Sequence, residues 1–259
     1  MSFHWLEDWK TPGVCLVARS IVHNRGWVGT LANRLMTASG IWAYVHENEA
    51  LLVDAPFAWQ DSQPILTRID DFLRRHDLRL KFITASHLHL DHSAGLSCLL
   101  EHFPEAPFVY PETWPGCWRC WSKDRIKYGI QPAMSQQWGR EPCQTYRQWW
   151  TSHLGGEPVY FLEAPYHSLT DQLIGFRGFT VLPDWHLPSH LDEPLQLVDA
   201  PRRAIEDTLL RLQMFERQTG HSIQTSCAVH GDEPLRTDFQ ERVRIASRKF
   251  LKSAPAQPV

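Results

Sequence analysis

No stretch of this chain approaches the roughly 20 consecutive apolar residues that a membrane-spanning helix needs. Its opening, Met1-Ser2-Phe3-His4-Trp5-Leu6-Glu7-Asp8, carries acidic residues and no apolar core, so it does not read as a secretory signal. Cysteine is sparse, six residues in 259 and unevenly placed, which argues against a disulfide framework and, with no signal, for a reducing cytoplasm. Excess positive charge is also missing. A formal net charge of -3 gives no general attraction to nucleic acid or to an anionic membrane, so neither is an expected partner. There is no internal repeat, no inter-domain linker and no convincing Ser/His/Asp set for covalent catalysis. What remains, 43% hydrophobic and 21% charged residues, suits one large globular domain over residues 1–259.

Histidine and aspartate are abundant where it matters. In Phe82-Ile83-Thr84-Ala85-Ser86-His87-Leu88-His89-Leu90-Asp91-His92-Ser93-Ala94-Gly95, four metal-ligating side chains fall within six positions. A short apolar run leads into them and reads as a buried strand, and Ser93 to Phe103 reads as a helix behind them. The ligands therefore occupy a strand-to-helix turn, where an α/β sheet normally exposes polar groups to a crevice. His87 and His89 could serve one ion, Asp91 and His92 a second. Each pair is short of the four or so donors zinc usually takes, so more His or Asp must come from distant loops.

The remaining pattern supplies them. Strands are expected at Val14–Val22, within Leu35–His46, and at Ala50–Ala55, with Asp54 at the end of the last. A helix over Ser62–His76 has Ile65, Ile69, Phe72 and Leu73 on one side. Later strands at Phe108–Tyr110, Pro158–Leu162, Gln172–Phe176, Phe179–Leu182 and Ser226–Val229 are joined by helices over Arg202–Gln218 and Thr237–Lys252. Three further ligand-type residues, His167, Asp184 and His230, stand at or just beyond the ends of such strands. If the strands share a sheet edge, His87, His89 and His167 make one site, Asp91, His92 and His230 a second, and Asp184 spans both with its two oxygens. Asp171 is a rival oxygen donor to His167, and His186 a rival histidine.

The signature His87-Leu88-His89-Leu90-Asp91-His92 resembles the His-x-His-x-Asp-His motif of the metallo-β-lactamase superfamily, with similarity from about Val14 to Phe250. The resemblance implies a four-layer αβ/βα sandwich of the metallo-β-lactamase type, with metals in a crevice at the sheet edge. It gives His167 the role of the family's next histidine, Asp184 that of the metal-bridging aspartate and His230 that of the last histidine. Asp54 resembles an aspartate that supports the metal loop from beneath. An aspartate at the bridging position resembles the branch of thioester hydrolases, lactonases, phosphodiesterases and RNA-processing nucleases. Pro165-Tyr166-His167-Ser168-Leu169 and Pro183 stand where many relatives carry glycine-rich turns, so the subfamily stays open.

Residues 112–156, rich in Trp, Gln, Pro and Gly, read as an inserted lid or subdomain, with Gln144–His153 its expected helix. Trp114, Trp118 and Trp121, with Trp185 after the bridging aspartate, are candidates to line an apolar substrate pocket; the core of the insertion and a dimer contact are the competing uses of the inserted tryptophans. Cys117-Trp118-Arg119-Cys120 is a lone Cys-x-x-Cys pair with no second clean pair beside it. The expected cofactor is two divalent ions, zinc by default, with manganese or iron also compatible. Between them, water would ionise near pH ~7, and the hydroxide would attack an ester, thioester or lactone of a small or medium organic substrate, with Asp91 and Asp184 as the catalytic carboxylates. A phosphodiesterase or nuclease, a diiron redox protein and a non-catalytic scaffold are the alternatives.

Overall fold

The computed structural model describes residues 2–21, 39–56, 62–116, 138–193, 200–231 and 233–251. In chain order these form β1 (Ser2–Thr11), β2 (Val14–Ile21), β3 (Gly40–His46), β4 (Glu49–Val53), α1 (Ser62–Arg75), β5 (Arg79–Thr84), a single turn α2 (Leu90–Ser93), α3 (Leu96–His102) and β6 (Phe108–Pro111). There follow β7 (Cys143–Tyr146), β8 (Trp149–Leu154), β9 (Glu157–Glu163), β10 (Gln172–Phe176), β11 (Phe179–Leu182), α4 (Arg202–Thr219), β12 (Thr225–Ala228) and α5 (Phe239–Leu251).

Two sheets result. One has seven strands in the order β1-β2-β3-β4-β5-β6-β7, the other five in the order β12-β11-β10-β9-β8. The first four strands pair antiparallel, and β4 to β7 pair parallel. Period-two alternation decides how the sheets stack. Val14, Leu16, Trp42, Tyr44, Leu51 and Val53 face the second sheet and meet Val159, Phe161, Ile174, Phe176 and Val181. Their neighbours Cys15, Val17, Ile41, Ala43, Ala50 and Leu52 face the other way, onto Ile65, Ile69 and Phe72 of α1 and Leu96 and Leu99 of α3. On the far side, Tyr160, Leu162 and Leu173 pack with Ile205, Leu209 and Phe215 of α4 and with Val243, Ala246 and Phe250 of α5. Three apolar layers separate four layers of secondary structure, helix–sheet–sheet–helix, the sandwich expected from the sequence. Among the described residues no helix is long and apolar enough to cross a membrane.

Two expectations change. Gln144–His153 is not a helix: Cys143–Tyr146 closes the first sheet as β7, and Trp149–Leu154 edges the second as β8. The two consecutive tryptophans explain the misreading. Trp149 packs outward on Phe215 of α4, while Trp150 packs inward on Phe82 and Phe161. Two adjacent apolar residues pointing opposite ways hide the alternation at the start of the strand. The helix expected from Ser93 is broken at Gly95, whose N–H donates to Ala55 O at 2.7 Å, so α2 and α3 are separate pieces.

The strand directions place the site. β4 and β5 run parallel, so Asp54 and the His87 loop leave the same edge of the first sheet. In the second sheet β9 and β11 both run antiparallel to β10, and β12 runs parallel to β11. The loops carrying His167, Asp184 and His230 therefore emerge together. The indole Nε1–H of buried Trp42 donates to Val229 O at 2.8 Å and joins the first sheet to the residue before His230.

Candidate metal centre

The residues expected as ligands come together in two groups. Ligand atoms of His87, His89, His167 and Asp184 lie within 4.8 Å of one another, and so do those of Asp91, His92, Asp184 and His230. Asp184 belongs to both. Its Oδ1 accepts from His230 Nε2 at 2.7 Å, while its Oδ2 lies 3.6 Å from His92 Nε2, 3.8 Å from His87 Nε2 and 3.9 Å from His167 Nε2. Asp91 Oδ2 is 3.6 Å from His92 Nε2, and His89 Nδ1 is 3.1 Å from His167 Nε2. Two ligands on one tetrahedral zinc, with bonds of about 2.0–2.1 Å, stand about 3.4 Å apart. The spacings bracket that value.

Local hydrogen bonds aim the rings. Asp54 is fully buried at the end of β4, with φ 67°. Its Oδ1 accepts from Ser86 N–H at 2.5 Å, and its Oδ2 from Ser86 Oγ–H and His92 Nδ1–H, each at 2.9 Å. Ser39 Oγ also lies 2.9 Å from His92 Nδ1. Ser86 Oγ stands 3.1 Å from His87 Nδ1. With both Nδ1 atoms so engaged, the Nε2 atoms of His87 and His92 face inward, buried and without a hydrogen-bond partner. A buried polar atom left in that state is costly unless something coordinates it. The donor set of imidazoles and carboxylates therefore fits a divalent metal ion.

In the metal-free chain the two buried rings are charged differently. Burial, reinforced by His92 and His89, holds the His87 imidazole well below its ordinary pKa, so it stays a neutral donor. Burial acts the same way on His92, but Asp91, Asp184 and Asp54 outweigh it and hold that ring well above its ordinary pKa. Asp184, despite burial, is kept well below the carboxylate range chiefly by His92. Asp184 also has a left-handed backbone, φ 54°, a conformation Asp tolerates better than most residues.

Other candidates fall elsewhere. Asp171 is in neither ligand group; its carboxylate is fully buried and turned onto backbone N–H groups, and burial pushes its pKa up to about 7 against the pull of those donors. His186 pairs with Glu193 at 2.7 Å. Trp114, expected at the substrate, is instead fully buried against Phe108 and Tyr110 in the layer between the first sheet and its helices, so its ring has no face to offer a ligand. Trp185 is buried too: it packs on Tyr166 and donates Nε1–H to Asp171 at 2.9 Å. Trp118, Trp121, Cys117 and Cys120 lie outside the described residues. Sequence reasoning missed Ser39 and Ser86, since serine beside histidine carries no signal of its own.

Gly231, directly after His230, is a tight point. Its φ is +71°, and a Cβ there would fall 2.4 Å from Leu16 Cδ2. Gly178, in the β10–β11 turn with φ +73°, meets nothing nearer than 3.5 Å. Gly231→Ala is expected to lower unfolding free energy by about 2–4 kcal/mol, adding overpacking to left-handed strain, against about 1–2 kcal/mol for Gly178→Ala. Urea unfolding of the two variants measures the difference, and equal losses would remove the packing explanation.

A four-layer α/β sandwich whose loops gather His and Asp at one edge of two sheets defines a metal-binding class. The chain matches the family model of the metallo-beta-lactamase superfamily over residues 37–193, more than half its length, and belongs to that superfamily. Among curated proteins it is 40% identical over 75 residues to the hydroxyacylglutathione hydrolase of Aeromonas hydrophila subsp. hydrophila, covering 29% of this chain and 26% of that protein. The protein of the same name from Aeromonas salmonicida is 40% identical over 76 residues, 29% of this chain and 27% of that one. The match thus spans about a quarter of the length of these relatives. Among solved structures, a metallo-beta-lactamase from Pontibacter korlensis superposes with a TM-score of 0.51 at 15% identity, covering 83% of this chain and 88% of that one. An archaeal metallo-beta-lactamase superfamily protein from Sulfolobus tokodaii gives 0.51 at 14% identity, with 85% and 83% covered. At such identities the likeness is one of fold.

Proposed function

We propose that this chain is a dinuclear metal-dependent hydrolase acting on a thioester, ester or lactone of a small or medium organic substrate. The observation that carries it is the sharing of Asp184 between two four-residue ligand groups. Two divalent ions, zinc by default, would supply hydroxide near neutral pH and a Lewis acid for the substrate's carbonyl oxygen. His87, His89 and His167 would hold one ion, Asp91, His92 and His230 the other, and Asp184 both. The first set contributes only neutral donors apart from Asp184, so positive charge persists on that side to stabilise an oxyanion. Asp91 and Asp184 are the carboxylates within reach of the reacting atoms. An oxygen not engaged in coordination can accept a proton and hold it for the leaving group. Asp54, 2.9 Å from His92 Nδ1, would hold a proton there and leave Nε2 to the ion.

The acyl class is favoured by the short match to proteins named for hydrolysis of hydroxyacylglutathione, which is a thioester. Metal analysis of the purified chain, joined to a panel of thioester, lactone, β-lactam and phosphodiester substrates, tests the reading. About two ions per chain are expected, with thioester or lactone turnover that a chelator abolishes and zinc restores. A chain that holds no ions, or that turns over phosphodiesters alone, would overturn it.

A further inference from the structure

The segment Ser168-Leu169-Thr170-Asp171-Gln172 ties together every loop that carries a ligand of the three-imidazole group. Asp171 Oδ2 accepts from the backbone N–H groups of Tyr166 (3.2 Å), His167 (2.6 Å) and Ser168 (3.0 Å), and from Trp185 Nε1–H (2.9 Å). Its Oδ1 accepts from Ser168 Oγ–H at 2.5 Å. One carboxylate thus fixes the His167 turn and grips the residue after Asp184. On either side of Asp171 the segment reaches the loop of the other imidazoles. Thr170 Oγ1 accepts from Leu88 N–H, between His87 and His89, at 3.1 Å, and Gln172 N–H donates to Ser86 O at 2.9 Å. Ser168, Thr170, Asp171 and Gln172 are all fully buried. His92, in the other group, is oriented from a different direction by Asp54 and Ser39.

We infer that Asp171 is a positioning residue for the three-imidazole ion: it never touches the ion, but sets the place of His167 and, through Trp185, of Asp184. The inference rests on the two-ion reading above. Asp171→Ala would release three backbone N–H groups and the indole together, so His167 would lose its fixed approach. Asp171→Asn keeps an oxygen for those donors, with Ser168 Oγ turning to accept from the new amide. Trp185→Phe keeps the packing on Tyr166 and removes one N–H.

Zinc titration of the metal-free wild type and of each variant, against a chromophoric chelator, separates the two binding steps. Asp171→Ala is expected to weaken one step by roughly 10- to 100-fold while leaving the other within about threefold, a range typical of groups that hold metal ligands in place. Asp171→Asn should recover most of the loss, and Trp185→Phe should show a smaller loss at the same step. A folded Asp171→Ala chain with both steps as in wild type would overturn the inference, as would equal weakening of both. If that variant does not fold, Trp185→Phe decides: a selective loss supports the inference, an unchanged titration overturns it. A wild type that binds fewer than two ions fails the two-ion reading itself. A wild type that binds two but hydrolyses no acyl substrate fails only the functional assignment.

Discussion

Asp184→Ala is expected to bring metal content below two ions per chain and to lower turnover by more than the roughly 100-fold that marks the upper end for groups outside the coordination sphere. The margin follows from geometry. Asp184 is the one residue common to both ligand groups, with Oδ1 at 2.7 Å from His230 and Oδ2 between 3.6 and 3.9 Å from His92, His87 and His167. Removing it deprives each ion of one of four protein donors and leaves His92 without one of the carboxylates that outweigh its burial. Asp184→Asn retains the shape but can no longer spread negative charge over two oxygens, so its metal content should fall between wild type and alanine. Elemental analysis alongside initial rates checks both variants. Unchanged content and rate in Asp184→Ala would remove the residue from the bridge.

The second large effect is expected at Asp54. Asp54→Ala leaves the buried Ser86 N–H without its acceptor and takes from His92 Nδ1 its carboxylate partner. A buried donor left unsatisfied costs about 1–3 kcal/mol, and since His92 Nδ1 keeps Ser39 Oγ at 2.9 Å the metal-free chain should lose about 1–3 kcal/mol of stability. Zinc affinity should drop roughly 10- to 100-fold, because the His92 ring loses its carboxylate anchor and keeps only the Ser39 hydroxyl to aim Nε2. The two readouts differ in origin: denaturant unfolding without metal reports the hydrogen bonds, and chelator competition reports the ring. Asp54→Asn keeps one oxygen acceptor and is expected to lie between. Wild-type values on both axes for the alanine variant would show that the rings are held by packing alone.

Most of the candidate centre was legible because the loops that carry its residues follow apolar strands. Asp54, His87, His167, Asp184 and His230 end β4, β5, β9, β11 and β12 or follow them closely, and the division of ligands into two sets sharing Asp184 could be read from chain order and the strand-end rule. What escaped notice was structure whose pattern is blurred. In β1, register shifts between Trp5 and Asp8 and between Trp9 and Thr11 interrupt the alternation that would betray a strand. In β8 the two adjacent tryptophans at its start pack on opposite sides, Trp149 on Phe215 and Trp150 on Phe161, so no polar residue separates them to show the alternation. Asp171 was legible only as a possible oxygen donor. That its oxygens turn to backbone N–H groups depends on a loop conformation that residue spacing does not encode.

The ligands are drawn from two separate sheets. The His87–His92 loop belongs to the seven-stranded sheet, and His167, Asp184 and His230 to the five-stranded one. An ion held by residues of both sheets would therefore be a rivet through the apolar seam between the halves of the molecule. Occupancy and thermal endurance would become one property, since a ligand present at a thousand times its dissociation constant adds about 4 kcal/mol to the folded state. Metal starvation would then loosen the molecule along that seam as well as silence it.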